Sequence, residues 1–593
     1  MKLSVEQHAA VHCTGNVYVT ACPGSGKTRA LTARIAKGVE ELKYRSNKVL
    51  AVTFTNRAAD EIKTRLEENY TIESGRVWAG TIHSFALEWI IKPYASYSET
   101  LNYGYSIADE FETKKILSKL KVARGLRVFD KVNTTFNRQG IVENSDARAK
   151  EVEQEYRRIL SSRKKIDFDQ SLYFAFQLME RLPEIAQTLG NIFTHICVDE
   201  IQDTQDLQYA ILSKIFNESC KKPSLFIVGD ENQAIYGGIG GKSLSLAELN
   251  SEFIGSNINH FTFSDNYRST QRLVDYFSVF RGVQGGISKA AHKNDQGTIS
   301  FFNQSVRKDH LAVAISKLIH TELNNGVNEN DICVIAPRWE LIRPMTKKLI
   351  TLLPQVKFDA PALSPFHGQH DNFWLIVSKL LLTEPSGKLL STRVRWANEL
   401  LNNLIESHHH IRDLTAKKLL KVINSFHSNT VVGTEYLKEC FEFILDELDI
   451  DLEHDLLLKE QFDLFFEKAT SNIENNNDQY EDTVIALKSF FKESTGIVVD
   501  SCHGVKGEEY NTVIAFGLLK GFVPHWNDII NQPAQVGWSA ESKMLYVIAS
   551  RAKENLFLFA ENGRMTTRHN FYTTSEMLSA YNFRYDYYHK KLS

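Results

Sequence analysis

The 593-residue chain has 43% hydrophobic and 24% charged residues, the balance of a folded globular protein and not of a disordered one. A formal net charge of −3 excludes a uniformly basic coat, so any track for a polyanion must be local. No apolar run approaches the ~18 residues that span a bilayer, and no charged-then-apolar leader opens the chain, so a cytoplasmic protein without a membrane partner is expected.

Two strands are predicted early, Val17–Ala21 and Lys48–Phe54, each followed by a helical pattern, Thr28–Glu41 and Arg57–Asn69. That alternation points to a parallel α/β sheet. After Trp78–His83 it breaks. More than a hundred residues rich in charge and helix formers precede the next strand, Ile196–Val198, whereas a crossover needs only a dozen or so. Leu225–Gly229 follows. The second half repeats the plan, with strands at Thr298–Phe302 and Asp331–Ala336, a helical stretch, then Ile497–Asp500, Thr512–Phe516 and Leu556–Ala560. The expected division is a first core over 1–90 and 191–285 with a helical insertion over 91–190. A second core spans 286–365 and 491–593, with a helical insertion over 366–490. Seven cysteines are scattered with no CxxC pair, which argues against a zinc ribbon or iron–sulfur cluster and fits small buried residues in a reducing compartment.

Ala21-Cys-Pro-Gly-Ser-Gly-Lys-Thr28 joins a strand to a helix and has the form of a phosphate-binding loop. Gly24, Ser25 and Gly26 form the turn, whose backbone N–H groups and helix N-terminus face an anion. Lys27 is expected on the β- and γ-phosphates of ATP, and the Thr28 hydroxyl on Mg2+. Ala21 stands where the usual pattern has glycine. Asp199 and Glu200 end an apolar strand. An aspartate there completes a Mg2+ site with Thr28, and the glutamate can orient and deprotonate an attacking water.

Further segments extend the pattern. Thr53-Phe-Thr-Asn-Arg-Ala-Ala59, Val198-Asp-Glu-Ile-Gln-Asp203, Gly229-Asp-Glu-Asn-Gln-Ala-Ile-Tyr236, Asn266-Tyr-Arg-Ser269, His503-Gly-Val-Lys-Gly-Glu-Glu-Tyr510 and Leu545-Tyr-Val-Ile-Ala-Ser-Arg-Ala552 occur in this order. Together they resemble the motif series of the UvrD/Rep/PcrA branch of superfamily 1 DNA helicases, over nearly the whole chain. The resemblance implies an α/β protein of two RecA-like parallel-sheet cores, each with an inserted, mostly helical domain. It also implies ATP- and Mg2+-dependent 3′→5′ movement on single-stranded DNA or at a single-strand/duplex junction.

Roles follow from the same resemblance. Gln7 corresponds to a glutamine that reads the adenine edge, Tyr267 to a tyrosine that stacks on it, Arg29 to an arginine beside base and ribose, and Glu509 to a glutamate near the ribose. Gln233 corresponds to the γ-phosphate sensor. Arg268 and Arg551 correspond to arginines reaching the γ-phosphate, where a guanidinium stabilises the charge of phosphoryl transfer. The catalytic set is thus Lys27, Asp199, Glu200, Gln233, Arg268 and Arg551. Phe54, Thr55, Asn56, His83, Tyr236 and His503 match motifs that contact DNA or couple it to ATP, and aromatic faces there can stack on bases without reading sequence.

Three features depart from the pattern. Tyr236-Gly-Gly-Ile-Gly-Gly241 has Gly238 and Ile239 where the family has an aromatic residue and an arginine. The second insertion looks short for processive members, and no nuclease motif follows residue 552. These departures support an alternative: a nucleotide- and DNA-sensing subunit that regulates a partner nuclease in an anti-phage system such as Gabija. Arg157–Lys165 is basic, either a DNA-backbone contact or a solvated face. His408–His410 reads as a solvated run, and the aromatic Tyr581–Tyr588 as a segment packed on the core.

Overall fold

A computed structural model describes the chain except Met1, Ser74, Asp109 and residues 128–129, 238–239, 283–288, 292–296, 361–362, 367–371, 387–388, 407–413, 475–481, 492–495, 527–528, 530–533, 567 and 587–593. His408–His410 and the Gly238/Ile239 replacement therefore lie outside the described residues.

The first sheet has six strands: β1 (Val17–Ala21), β2 (Lys48–Thr53), β3 (Val77–Thr81), β4 (Phe193–Val198), β5 (Ser224–Gly229) and β6 (Asn259–Phe263). Their order is β3-β2-β4-β5-β1-β6, with every pair parallel. The two-residue period of a strand sends alternate side chains to opposite faces. Val17, Val19, Val49, Ala51, Cys197, Phe226 and Val228 join one apolar cluster with the helices Val5–His12, Lys27–Glu40 and Asn56–Asn69. Tyr18, Leu50, Val52, Ile196, Val198, Leu225 and Ile227 join another with Phe168–Arg181, Pro183–Ile192 and Asp206–Glu218. Both faces are covered, which is why these strands read as continuous apolar runs. Full burial of each such side chain contributes about 1.5–3 kcal/mol.

β6 is not foreseen by the sequence pattern. It is an edge strand whose Asn259 and His260 are exposed, and only Phe263 is buried, so no apolar run marks it. It is fixed by pairing with β1 (Tyr18 beside His260) and by a 2.8 Å hydrogen bond between Thr20 Oγ1 and His260 Nε2.

A second six-stranded sheet contains β7 (Thr298–Arg307), β8 (Ile332–Ala336), β9 (Phe358–Asp359), β10 (Ile497–Ser501), β11 (Tyr510–Ala515) and β12 (Ala552–Asn562), in the order β7-β12-β11-β8-β10-β9. The predicted α/β class with two parallel sheets and helical insertions is what the chain adopts.

The chain divides into two compact units. Met1–Leu311, Ile335–Pro337 and Cys502–Ser593 form one, and Ala312–Val334 with Arg338–Ser501 form the other. In the first, the segment between β3 and β4 is mostly helical, with a short parallel pair, Ser106–Ile107 with Lys165–Ile166, and no helix or strand among the described residues of 124–146. Its basic run is divided: Arg158, Arg163 and Lys164 are exposed, whereas Arg157 and Lys165 turn inward. Arg157 bonds Asp167 at 2.8 Å and Glu153 at 3.1 Å, and buried Lys165 bonds Glu112 at 2.8 Å. Arg158 remains exposed beside Glu155. Of the aromatic segment, the described residues 581–586 pack on the core, as expected: Tyr581, Phe583 and Tyr585 surround Tyr276, and Asp586 takes both terminal guanidinium nitrogens of Arg272, while Tyr587 and Tyr588 lie outside the described residues. The second unit is mainly helical. Its core centres on Trp374, stacked 4.6 Å from Phe441, with the indole N–H donated to Leu458 O at 3.1 Å.

The cysteines form no disulfide among the described residues, and five of the seven are buried. No helix among the described residues is long and apolar enough to cross a membrane.

Candidate nucleotide and nucleic-acid site

The loop after β1 needs its glycines. Gly24 and Gly26 have φ of +68° and +77°, a region that costs other residues energy. A Cβ on Gly24 would lie 2.5 Å from Arg268 Cβ, and one on Gly26 2.6 Å from Gln7 Nε2. Gly26 caps the helix Lys27–Glu40, so the loop's N–H groups and the helix N-terminus converge. Lys27 Nζ is buried with no hydrogen-bond partner among the described residues, 3.4 Å from Glu200 Oε1. Burial opposes its charge, but Glu200, Asp230 and Asp199 outweigh that and hold its pKa above the ordinary value. A buried ammonium at a helix N-terminus, ion-paired but with no hydrogen bond among the described residues, fits a phosphate.

Asp199 and Glu200 follow β4. Glu200 sits at φ +50°, an uncommon backbone state for a residue with a side chain. Burial and the Glu200 charge push the Asp199 carboxyl up; burial also works on Glu200, but Lys27 and Lys506 hold it down. Gln202 ties the pair to the next strand end, donating to Glu200 and accepting the Asp230 N–H at 3.0 Å. The Thr28 hydroxyl and the Asp199 carboxylate are the hard oxygen donors that Mg2+ takes alongside phosphate oxygens and water.

Gln233 lies between a carboxylate and a guanidinium. Its Nε2 donates to Asp230 at 2.7 Å, and its Oε1 accepts from Arg551 at 2.9 Å. Arg551 is 1% exposed, and its hydrogen bonds all go to neutral oxygens: Gln233, Ser550, Val547 O and Glu508 O. Burial and nearby Arg268 lower its pKa to about 9. Such a cation is best satisfied by an anion. Arg268 pairs with Glu509 at 2.8 Å and donates to Ser550 O at 2.9 Å. The Asn266–Ser269 segment rests on the phosphate loop: Tyr267 N–H donates to Gly24 O at 2.8 Å, and Asn266 Nδ2 to Pro23 O at 2.7 Å.

Gln7 and Arg29 sit differently from one another. Arg29 is exposed on the first helical turn. Gln7 is 1% exposed; its amide accepts from Ser4 N–H at 3.0 Å and donates to Ser25 O at 2.7 Å, so here it braces the loop.

A second cluster adjoins the first. Phe54 and Tyr236 have ring centroids 4.4 Å apart, and Tyr236 and His503 5.3 Å. Thr55 caps the helix Asn56–Asn69 by accepting Ala58 N–H at 3.2 Å, and Thr55 and Asn56 are exposed at that N-terminus, a position suited to a DNA phosphate. His83 lines a cavity with Phe54. It meets Phe168 edge-on at 5.9 Å, and burial lowers its pKa to about 4, so it is neutral at physiological pH.

Lys506 joins the two clusters, and sequence reasoning gave it no role. Its Nζ bonds Asp203 and donates to Gln233 O at 2.7 Å, while lying 5.1 Å above the Tyr236 ring. Burial raises the Asp203 pKa to about 6 even against this lysine. Asp203, Gln202 and Asp230 were passed over likewise. All four stand inside the quoted motifs, and the available signal was that each is a polar residue in a segment following an apolar strand.

Comparison with known proteins agrees with this geometry. The UvrD/REP helicase N-terminal domain family matches residues 3–254. The ATP-dependent DNA helicase PcrA of Staphylococcus epidermidis is 29% identical, over 95% of this chain and 84% of that protein. The PcrA helicase of Bacillus subtilis is 23% identical over 95% and 83%. The ATP-dependent DNA helicase UvrD1 of Mycobacterium bovis is 28% identical over 45% of this chain and 38% of its own length.

Proposed function

We propose that the chain is a UvrD/PcrA-like superfamily 1 ATP-dependent DNA helicase, a Mg2+-dependent motor that moves 3′→5′ on single-stranded DNA or from a single-strand/duplex junction. In this reading 1–90 and 191–285 form the ATP-binding core, 286–365 and 491–593 the second core, and 91–190 and 366–490 their insertions. The observation that carries the reading is the path from Lys27 and Glu200 through Gln202, Asp230 and Gln233 to Lys506, which lies over Tyr236.

The residues divide the chemistry between them. Lys27 and the loop N–H groups hold the phosphates. Thr28 and Asp199 would hold Mg2+, which supplies charge neutralisation on the phosphate oxygens when bound. Glu200, kept ionised by Lys27 and Lys506, accepts a proton from the water that attacks the γ-phosphorus, as the bond to the β-phosphate oxygen breaks and ADP leaves. Arg268 and Arg551 stabilise the charge on the transferring group. Gln233 bonds Arg551 through its side chain and Lys506 through its carbonyl. Loss of the γ-phosphate is therefore felt at Tyr236, which with Phe54 and His503 offers the faces for bases. A change of grip in step with hydrolysis moves the strand.

The test is steady-state ATP hydrolysis with and without single-stranded DNA, beside Lys27→Ala. Strong stimulation that vanishes in the variant is expected. Hydrolysis that ignores DNA would overturn the motor reading. It would favour the regulatory-subunit alternative with a partner nuclease in defence, whose support is the glycine-rich segment after Tyr236.

A further inference from the structure

Thr53 ends β2 with a hydroxyl that nothing described satisfies. The residue is 3% exposed, and its Oγ1 has no hydrogen-bond partner among the described residues. Its place in the sheet is informative. Val52 stands level with Val198 on the neighbouring strand, and Val52 O accepts the Asp199 N–H at 2.9 Å. Thr53 and Asp199 thus stand side by side at the carboxyl ends of adjacent parallel strands. Both line a cavity of about 110 Å³, together with Glu200, Phe54 and His83.

Interiors rarely leave a hydroxyl unpaired, and ordered water is the usual partner where the space is polar. A water needs roughly 10–15 Å³ of such space and two to four polar partners. The cavity exceeds that volume, and Thr53, Asp199 and Glu200 are among its polar lining residues, with Thr81, Thr204, Gln205 and Gln208. An apolar residue of the same shape would fill the position equally well if packing were its only purpose.

We propose that Thr53 is a positioning residue for Asp199: through an ordered water in this cavity, its hydroxyl holds the carboxylate in the orientation that takes the divalent cation of the bound nucleotide. The proposal rests on the reading of Thr28 and Asp199 as the Mg2+ residues. Partners in the outer shell of a metal site typically change metal affinity by about 10–100-fold when removed.

The experiment measures binding of a fluorescent ADP analogue to the full chain over a range of Mg2+ concentrations, which needs no turnover. Thr53→Val removes the hydroxyl and keeps the shape, Thr53→Ala removes it without adding bulk, and Thr53→Ser restores it. The half-saturating Mg2+ concentration should rise about tenfold in Thr53→Val, rise similarly in Thr53→Ala, and return to the wild-type value in Thr53→Ser. Affinity for the analogue without Mg2+ should be the same in all four proteins. An unchanged Mg2+ requirement in the valine and alanine variants, with Mg2+-dependent binding in wild type, overturns the role of Thr53 alone. Binding by wild type that ignores Mg2+ overturns the metal reading and this proposal with it.

Discussion

Glu200→Gln leaves ATP binding near the wild-type level and lowers the rate of hydrolysis by roughly 10²–10⁴-fold, the usual contribution of a positioned general base. The amide keeps the size of the side chain and cannot accept the proton of the attacking water. It also removes the negative charge 3.4 Å from Lys27. That change frees the ammonium for phosphate, so nucleotide affinity should hold or tighten. Equilibrium binding and single-turnover hydrolysis, run on the same preparation, separate the two effects. Hydrolysis within tenfold of wild type would remove Glu200 from the role of base.

Arg551→Lys should lower the hydrolysis rate by about 10³-fold or more, as expected for loss of an arginine that stabilises the transferring phosphoryl group. Lysine keeps a charge but loses the planar fork. In this fold the fork spans Gln233 Oε1, Glu508 O and Val547 O, which no single ammonium can reach together. Because Arg551 is buried, part of the effect could be destabilisation, so thermal denaturation of the variant is the control. A folded Arg551→Lys protein with near-normal turnover would place the residue outside the chemistry. KM for ATP should move far less than the rate, since the interaction is made with the transition state.

Much of the architecture was legible in the sequence because the central strands are covered on both faces. Continuous apolar runs such as Lys48–Thr53 and Ser224–Gly229 carry that signature, and the motifs sit at their carboxyl ends. Asn259–Phe263 was hidden for the opposite reason: an edge strand with one buried side chain leaves no apolar run. Lys27 and Glu200 were legible as residue types at a strand-to-helix loop and a strand end, and Gln233 and Arg551 were named through the resemblance of their motifs. Their connections were not. Lys506 touches Asp203 and Gln233 across separations of 303 and 273 residues, and no local pattern reports such contacts. Gln7 shows the limit from the other side. The resemblance assigned it to the adenine edge, whereas its engagement with Ser4 and Ser25 depends on the capping box of the helix Val5–His12.

The central claim is that the phosphate site and the aromatic cluster form one connected unit through Lys506. The most direct measurement is the ratio of DNA-stimulated to basal ATP hydrolysis in wild type and in Lys506→Met, which keeps the length of the side chain and removes its charge and hydrogen bonds. The ratio should fall towards one in the variant, with its melting temperature showing an intact fold. A Lys506→Met protein that responds to single-stranded DNA as strongly as wild type would contradict the account.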